Sequence, residues 1–97
     1  MLGWLRRQFA RLPRQRPDLS VVMYHRKDCH LCENAWEQLV AAQTQYGFAL
    51  ERKDVDADSV ALQEYGECVP VVTVNGVVRF RGRVNDVLLR RLLDAPR

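Results

Sequence analysis

Two cysteines, Cys29-His30-Leu31-Cys32, stand directly after a short apolar run and directly before a helical repeat. That placement restricts the fold more than any other feature of the chain. Val21-Val22-Met23-Tyr24 is a continuous β-rich apolar run of the kind buried on both faces of a parallel sheet. Beyond the cysteines, Cys32, Ala35, Trp36, Leu39, Val40 and Gln43 recur at intervals of three and four, with Glu33, Asn34, Glu37 and Gln38 between them. This is the pattern of an amphipathic helix with Trp36 in the core, and Gly47 is placed to stop it. Residues 48–55 suit a second strand, and strand, helix and strand joined by a right-handed crossover make a parallel pair.

The second half changes character. Asp58 or Ser59 can cap a short helix running to about Tyr65 before Gly66. Val71-Val72-Thr73-Val74 and the run Val77 to Arg81 flank Asn75-Gly76, a dipeptide whose two residues both tolerate the left-handed backbone of a type I′ hairpin turn. Asn85 or Asp86 then caps a last helix carrying Val87, Leu88, Leu89, Leu92 and Leu93. The expected architecture is α/β, a four-stranded mixed sheet in the order βαβ-α-ββα flanked by helices.

A chain of 97 residues suits one domain with a modest core. Hydrophobic residues at 47% and charged residues at 28% fit a soluble globular protein, and no run of about 18 apolar residues would span a membrane. The net charge of +3 is unevenly spread. Residues 1–20 carry Arg6, Arg7, Arg11, Arg14 and Arg16 against Asp18, a side-chain balance of +4, which leaves the remainder near −1. Charge confined to one terminal segment does not suggest nucleic acid as a partner. Residues 1–19 therefore read as a basic N-terminal extension and residues 20–97 as the folded domain. Trp4, Leu5, Phe9 and Leu12 would gather on one side of a helix that Pro13 and Pro17 end, and residues 1–16 are expected to make at most weak contact with a membrane surface. No apolar run and cleavage site of a secretory signal is present. Three cysteines do not make the even framework of a small secreted domain, so a reducing compartment, the cytoplasm, is expected.

A thiol at a helix N-terminus faces unpaired amide groups and the positive end of the helix dipole, which favour thiolate over thiol. Cys29 holds that position, with Arg26, Lys27 and a protonated His30 acting in the same direction and Asp28 opposing. A pKa below the free value of ~8.5 is expected for Cys29, with His30 as a tuning residue. Cys32, one turn further on and deeper, is the natural resolving thiol. The pair permits dithiol exchange without an organic cofactor. A C-x-x-C pair also begins many zinc sites, which would need two more ligands from among His25, His30 and Cys68, and a purely structural pair is a third reading.

These residues resemble the glutaredoxin and thioredoxin family, specifically small glutaredoxin-like proteins, over about residues 20–95. The resemblance is carried by Cys29-His30-Leu31-Cys32 after a strand, by Val69-Pro70 opening the third strand, and by Gly82 followed by Asn85-Asp86 before the last helix. It implies a thioredoxin-like fold and a monomeric thiol-disulfide oxidoreductase whose catalytic residues are Cys29 and Cys32. Pro70 is then a cis proline that leaves the Val69 backbone available to an extended substrate. Arg26 is implied near a glutathione carboxylate and Asp86 near its γ-glutamyl amine, with glutathione a co-substrate or a disulfide-bearing protein the substrate. The chain departs from the family in having His30-Leu31 where glutaredoxin has Pro-Tyr and thioredoxin Gly-Pro, and Gly82-Arg83 where the family has Gly-Gly. The competing implications are a metal or iron-sulfur cluster carrier using Cys29 with Cys32 or a glutathione thiol, and a non-catalytic adaptor that finds its partner through the basic extension. Cys68 reads as a small buried cysteine, with a third redox thiol as the alternative.

Overall fold

The structure is a computed structural model and describes residues 15–96. The expectations for Trp4, Leu5, Phe9 and Leu12, and most of the segment expected at a membrane surface, lie outside the described residues. Among the described residues four strands form one sheet in the order β2-β1-β3-β4, with β1 at Ser20–His25, β2 at Ala49–Asp54, β3 at Val71–Val74 and β4 at Val77–Arg81. The pair β1/β2 is parallel, as a helical crossover requires, and β1/β3 and β3/β4 are antiparallel. Among the described residues three helices complete the fold: α1 at His30–Tyr46, α2 at Ser59–Tyr65 and α3 at Asp86–Asp94, with a 3-10 turn at Val55–Ala57 between β2 and α2. The α/β architecture with a mixed four-stranded sheet is therefore the one the residue pattern implies.

Successive strand residues face opposite sides of a sheet. Val21 and Met23 of β1, Val72 and Val74 of β3 and Phe80 of β4 join one buried cluster with Cys32, Ala35, Leu39, Ala42 and Tyr46 of α1 and Leu89 and Leu93 of α3. Side chains such as Met23, Leu39, Leu89 and Leu93 are fully enclosed, and each contributes about 1.5–3 kcal/mol relative to exposure. The opposite face holds Tyr24, whose ring lies 4.9 Å from that of Tyr65 and so sets α2 on that side. Trp36 is only half-buried, against the expectation of a core residue, because its ring sits at the margin of α1 with the Arg52 guanidinium 4.8 Å from the ring centre.

Local chemistry accounts for the boundaries. Gly47 ends α1 at φ 69°, its N–H donating to the Gln43 carbonyl at 2.8 Å. Asp58 caps α2 by accepting from the amides of Val60 and Ala61, and Asn85 caps α3 by accepting from Leu88 at 3.0 Å. Asn75 at φ 50° and Gly76 at φ 83° make the expected hairpin turn.

The start of the described chain is packed rather than trailing. Leu19 belongs to the core, and Arg16, with a relative exposure of 4%, reaches across to the end of α3. Its Nη1 donates to the carbonyls of Leu93 and Ala95, both at 2.7 Å, while Nε and Nη2 donate to the Asp18 carboxylate at 3.2 and 3.0 Å. The last carbonyls of a helix have no partner within it, and a cation there meets the negative end of the dipole. The Arg16 backbone N–H donates to the Tyr46 carbonyl at 2.6 Å, so one residue ties the ends of α1 and α3 to the start of β1. The hydrogen bond to Asp18 raises the pKa of Arg16 against the opposing effect of burial.

Candidate active site

The strand β1 ends at His25, and Asp28 takes a left-handed φ of 58° that turns the chain into α1. Aspartate is among the few side chains that tolerate this region. Cys29 follows as the N-cap residue in an extended conformation, and its Sγ accepts from the Cys32 amide at 3.2 Å. The sulfur thus occupies the place that a serine or aspartate oxygen commonly fills at a helix start. The Cys29 and Cys32 sulfurs lie at disulfide distance, with Cα atoms 5.2 Å apart. Their surroundings differ. Cys29 is half-buried at the edge of the core, whereas Cys32 has 2% relative exposure within it.

Asp28, Cys29, His30 and Glu33 line an open space of about 320 Å³. His30 is exposed there, as the first residue of α1. The two carboxylates oppose the helix N-terminus in its effect on a thiolate. Glu33 was not singled out by its residue type. Its position one helical turn beyond Cys29 is the signal that could have found it.

Val69 is partly buried against the same cluster that Cys29 touches, and the Val69-Pro70 peptide bond is cis. The Pro70 carbonyl accepts from the Gly82 amide at 2.8 Å, while the Val69 N–H and C=O make no hydrogen bond among the described residues. The other residues singled out in the sequence lie apart. Arg26 donates to Asp56 at 3.1 and 3.4 Å and to the Gly66 carbonyl at 3.3 Å, and lines a separate space of about 420 Å³ with Leu62, Gly66, Glu67 and Cys68. Asp86 lies in the first turn of α3, 3.8 Å from Arg90. Cys68 is not buried as expected but partly exposed, because the loop before Pro70 carries it beside the Arg81 guanidinium, 3.9 Å away, rather than into the core. Among the described residues no three His, Cys, Asp or Glu side chains converge in the manner of a metal site.

A sheet in this order, a C-x-x-C pair opening the helix after β1 and a cis proline before β3 define the thioredoxin-fold class. Solved structures agree. The chain is similar to a structural-genomics target protein from X. campestris, with 32% identity over 79% of this chain and 100% of that one and a TM-score of 0.64. It is also similar to the protein Ne2328 from Nitrosomonas europaea, with 24% identity, 76% and 89% coverage and a TM-score of 0.67. A thioredoxin from Halobacterium salinarum matches with 20% identity, 78% and 72% coverage and a TM-score of 0.62, a likeness of fold alone. No curated protein matches the chain in sequence. The chain belongs to the Glutaredoxin-like domain (DUF836) family, whose model matches residues 20–94.

Proposed function

We propose that the protein is a thiol-disulfide oxidoreductase that reduces protein or glutathione mixed disulfides through Cys29 and Cys32. The observation that carries this reading is the unequal setting of the two sulfurs, one at the helix N-cap and partly open, the other one turn deeper and enclosed. The Cys29 thiolate attacks one sulfur of the substrate disulfide, and the other sulfur departs as a thiolate that takes up a proton. Cys32, deprotonated in its turn, attacks the Cys29 Sγ of the mixed disulfide, closes the Cys29–Cys32 bond and releases the second substrate thiol. Two electrons pass from the dithiol to the substrate, and an external thiol reductant such as glutathione or a second protein dithiol returns them. The Val69 backbone, unbonded among the described residues and packed against the same cluster as Cys29, suits an extended chain laid along the loop.

No further cofactor enters this cycle. The reading assigns the protein to a reducing compartment, the cytoplasm, and to action as a monomer. Its test is the reduction of insulin disulfides by the full chain, with glutathione or a dithiol as the electron source. Turnover that is lost in Cys29→Ser supports the reading, and equal turnover in wild type and Cys29→Ser overturns it.

A further inference from the structure

Leu31, Asn34 and Gln38 follow one another along α1 at intervals of three and four and so share one flank of the helix. With Arg83 and Val84 they line a groove of about 310 Å³ that begins beside the dithiol. Its walls are fixed to one another, since the Gln38 Nε2 donates to the Val84 carbonyl at 3.0 Å and Val84 is buried. Leu31, between the two cysteines, nevertheless stays 41% exposed at the groove's mouth. Arg83 is exposed and makes no hydrogen bond, ion pair or ring contact among the described residues. Arg16 and Arg26 are engaged with carboxylates, Arg52 and Arg81 over aromatic rings and Arg90 with Asp86; Arg79 and Arg91 are also without a partner among the described residues, but only Arg83 lines this groove. The space at Cys29 instead carries two carboxylates, Asp28 and Glu33, beside His30. The dithiol therefore lies between a side with two carboxylates and a side that ends in a guanidinium unpaired among the described residues.

We infer that the disulfide substrate is a polypeptide with an acidic residue close to the cysteine that Cys29 attacks, its carboxylate paired with Arg83 in this groove. The inference rests on the dithiol reading above and names its substrate class. A groove of this size is at the lower end of the range for small-molecule sites and has room for an acidic side chain. Leu31 offers an apolar contact to the stem of that side chain or to its neighbour. A small anion held at Cys29 would share its space with two carboxylates, whereas a peptide extending past Leu31 places its carboxylate in the separate groove that Arg83 lines. Glutathione is the other source of a carboxylate attached to a disulfide, and the experiment separates the two.

The full chain is assayed with two peptide disulfides, alike except for Glu or Lys two residues beyond the cysteine, and with glutathione disulfide. Wild type prefers the Glu peptide by about fivefold in kcat/KM, mainly through KM, with the preference shrinking as salt is raised. The preference inverts in Arg83→Glu and falls close to one in Arg83→Gln. It persists in Arg91→Glu, a charge reversal at an exposed position of α3. A Glu-to-Lys ratio unmoved by Arg83→Glu overturns the inference while leaving the dithiol reading intact. Faster turnover of glutathione disulfide than of the Glu peptide, lost in Arg83→Glu, gives the carboxylate to glutathione and overturns the polypeptide assignment. If no disulfide is reduced through Cys29, the dithiol reading itself fails and the inference with it.

Discussion

Arg16→Ala removes a buried guanidinium that holds three parts of the chain at once, and its cost can be worked from the contacts. The Nη1 bonds to the Leu93 and Ala95 carbonyls are both 2.7 Å, and a hydrogen bond from a charged donor contributes about 1.5–3 kcal/mol. Ala95 is exposed, so water replaces much of its share, while the bond to Leu93 is buried and is lost in full. The ion pair to Asp18, whose side chain is 31% exposed, adds at most about 1 kcal/mol. The sum is a loss of about 2–4 kcal/mol. For a domain of this size each kcal/mol lowers Tm by roughly 4–8 °C, so a fall of about 10 °C or more is expected. Arg16→Lys keeps a cation at the end of α3 but not the planar fork, and should lose about half as much. Urea denaturation of the full chain, followed by circular dichroism, reads the difference as a shift of midpoint at constant slope. A shift in Arg16→Ala worth less than about 0.5 kcal/mol would refute the argument that this residue caps α3.

Gly47→Ala places a Cβ against the Gln15 side chain in a residue held at φ 69°, and should destabilise by about 1 kcal/mol or more; an unchanged denaturation midpoint would count against the left-handed cap. The Tyr46 hydroxyl donates to Asp94 at 2.8 Å, and burial first, then that bond, raises its pKa above 10. A raised folded-state pKa means that this contribution is intact below about pH 10 and is lost as pH climbs toward the folded value. Tyr46→Phe should therefore be about 1 kcal/mol less stable at pH 8 yet lose less stability than wild type between pH 9 and 11, and parallel pH profiles would contradict this.

The frame of the site was legible because each signal in it is local. The run at Val21 to Tyr24, the three-and-four spacing behind Cys32 and the glycine at 47 are all properties of neighbours in sequence, as are the Asn75-Gly76 turn and the caps Asp58 and Asn85. What escaped depends on partners far apart. Arg16 read as one more charge in a basic tail, since its acceptors are backbone carbonyls 77 and 79 residues away, which have no signature in residue type. Arg26 read as a cation beside the dithiol, whereas Asp56, 30 residues on, holds it. Trp36 lies on the apolar stripe of α1 but at its margin, where Arg52 from the edge strand β2 meets it, and only the packing of that strand decides the outcome. The groove between α1 and Arg83 likewise joins residues some fifty positions apart.

Trapping of the mixed disulfide distinguishes attack by Cys29 and resolution by Cys32 from the reverse order. Each single serine variant is incubated with a peptide disulfide, and the products are identified by mass spectrometry under non-reducing conditions. Cys32→Ser should accumulate a peptide adduct on Cys29, because the attacking sulfur is the accessible one at the helix N-cap and the thiol one turn beyond it is gone. Cys29→Ser should form no adduct on Cys32, which is enclosed at 2% relative exposure. An adduct on Cys32 in Cys29→Ser, formed as fast as that on Cys29 in Cys32→Ser, would contradict the assignment.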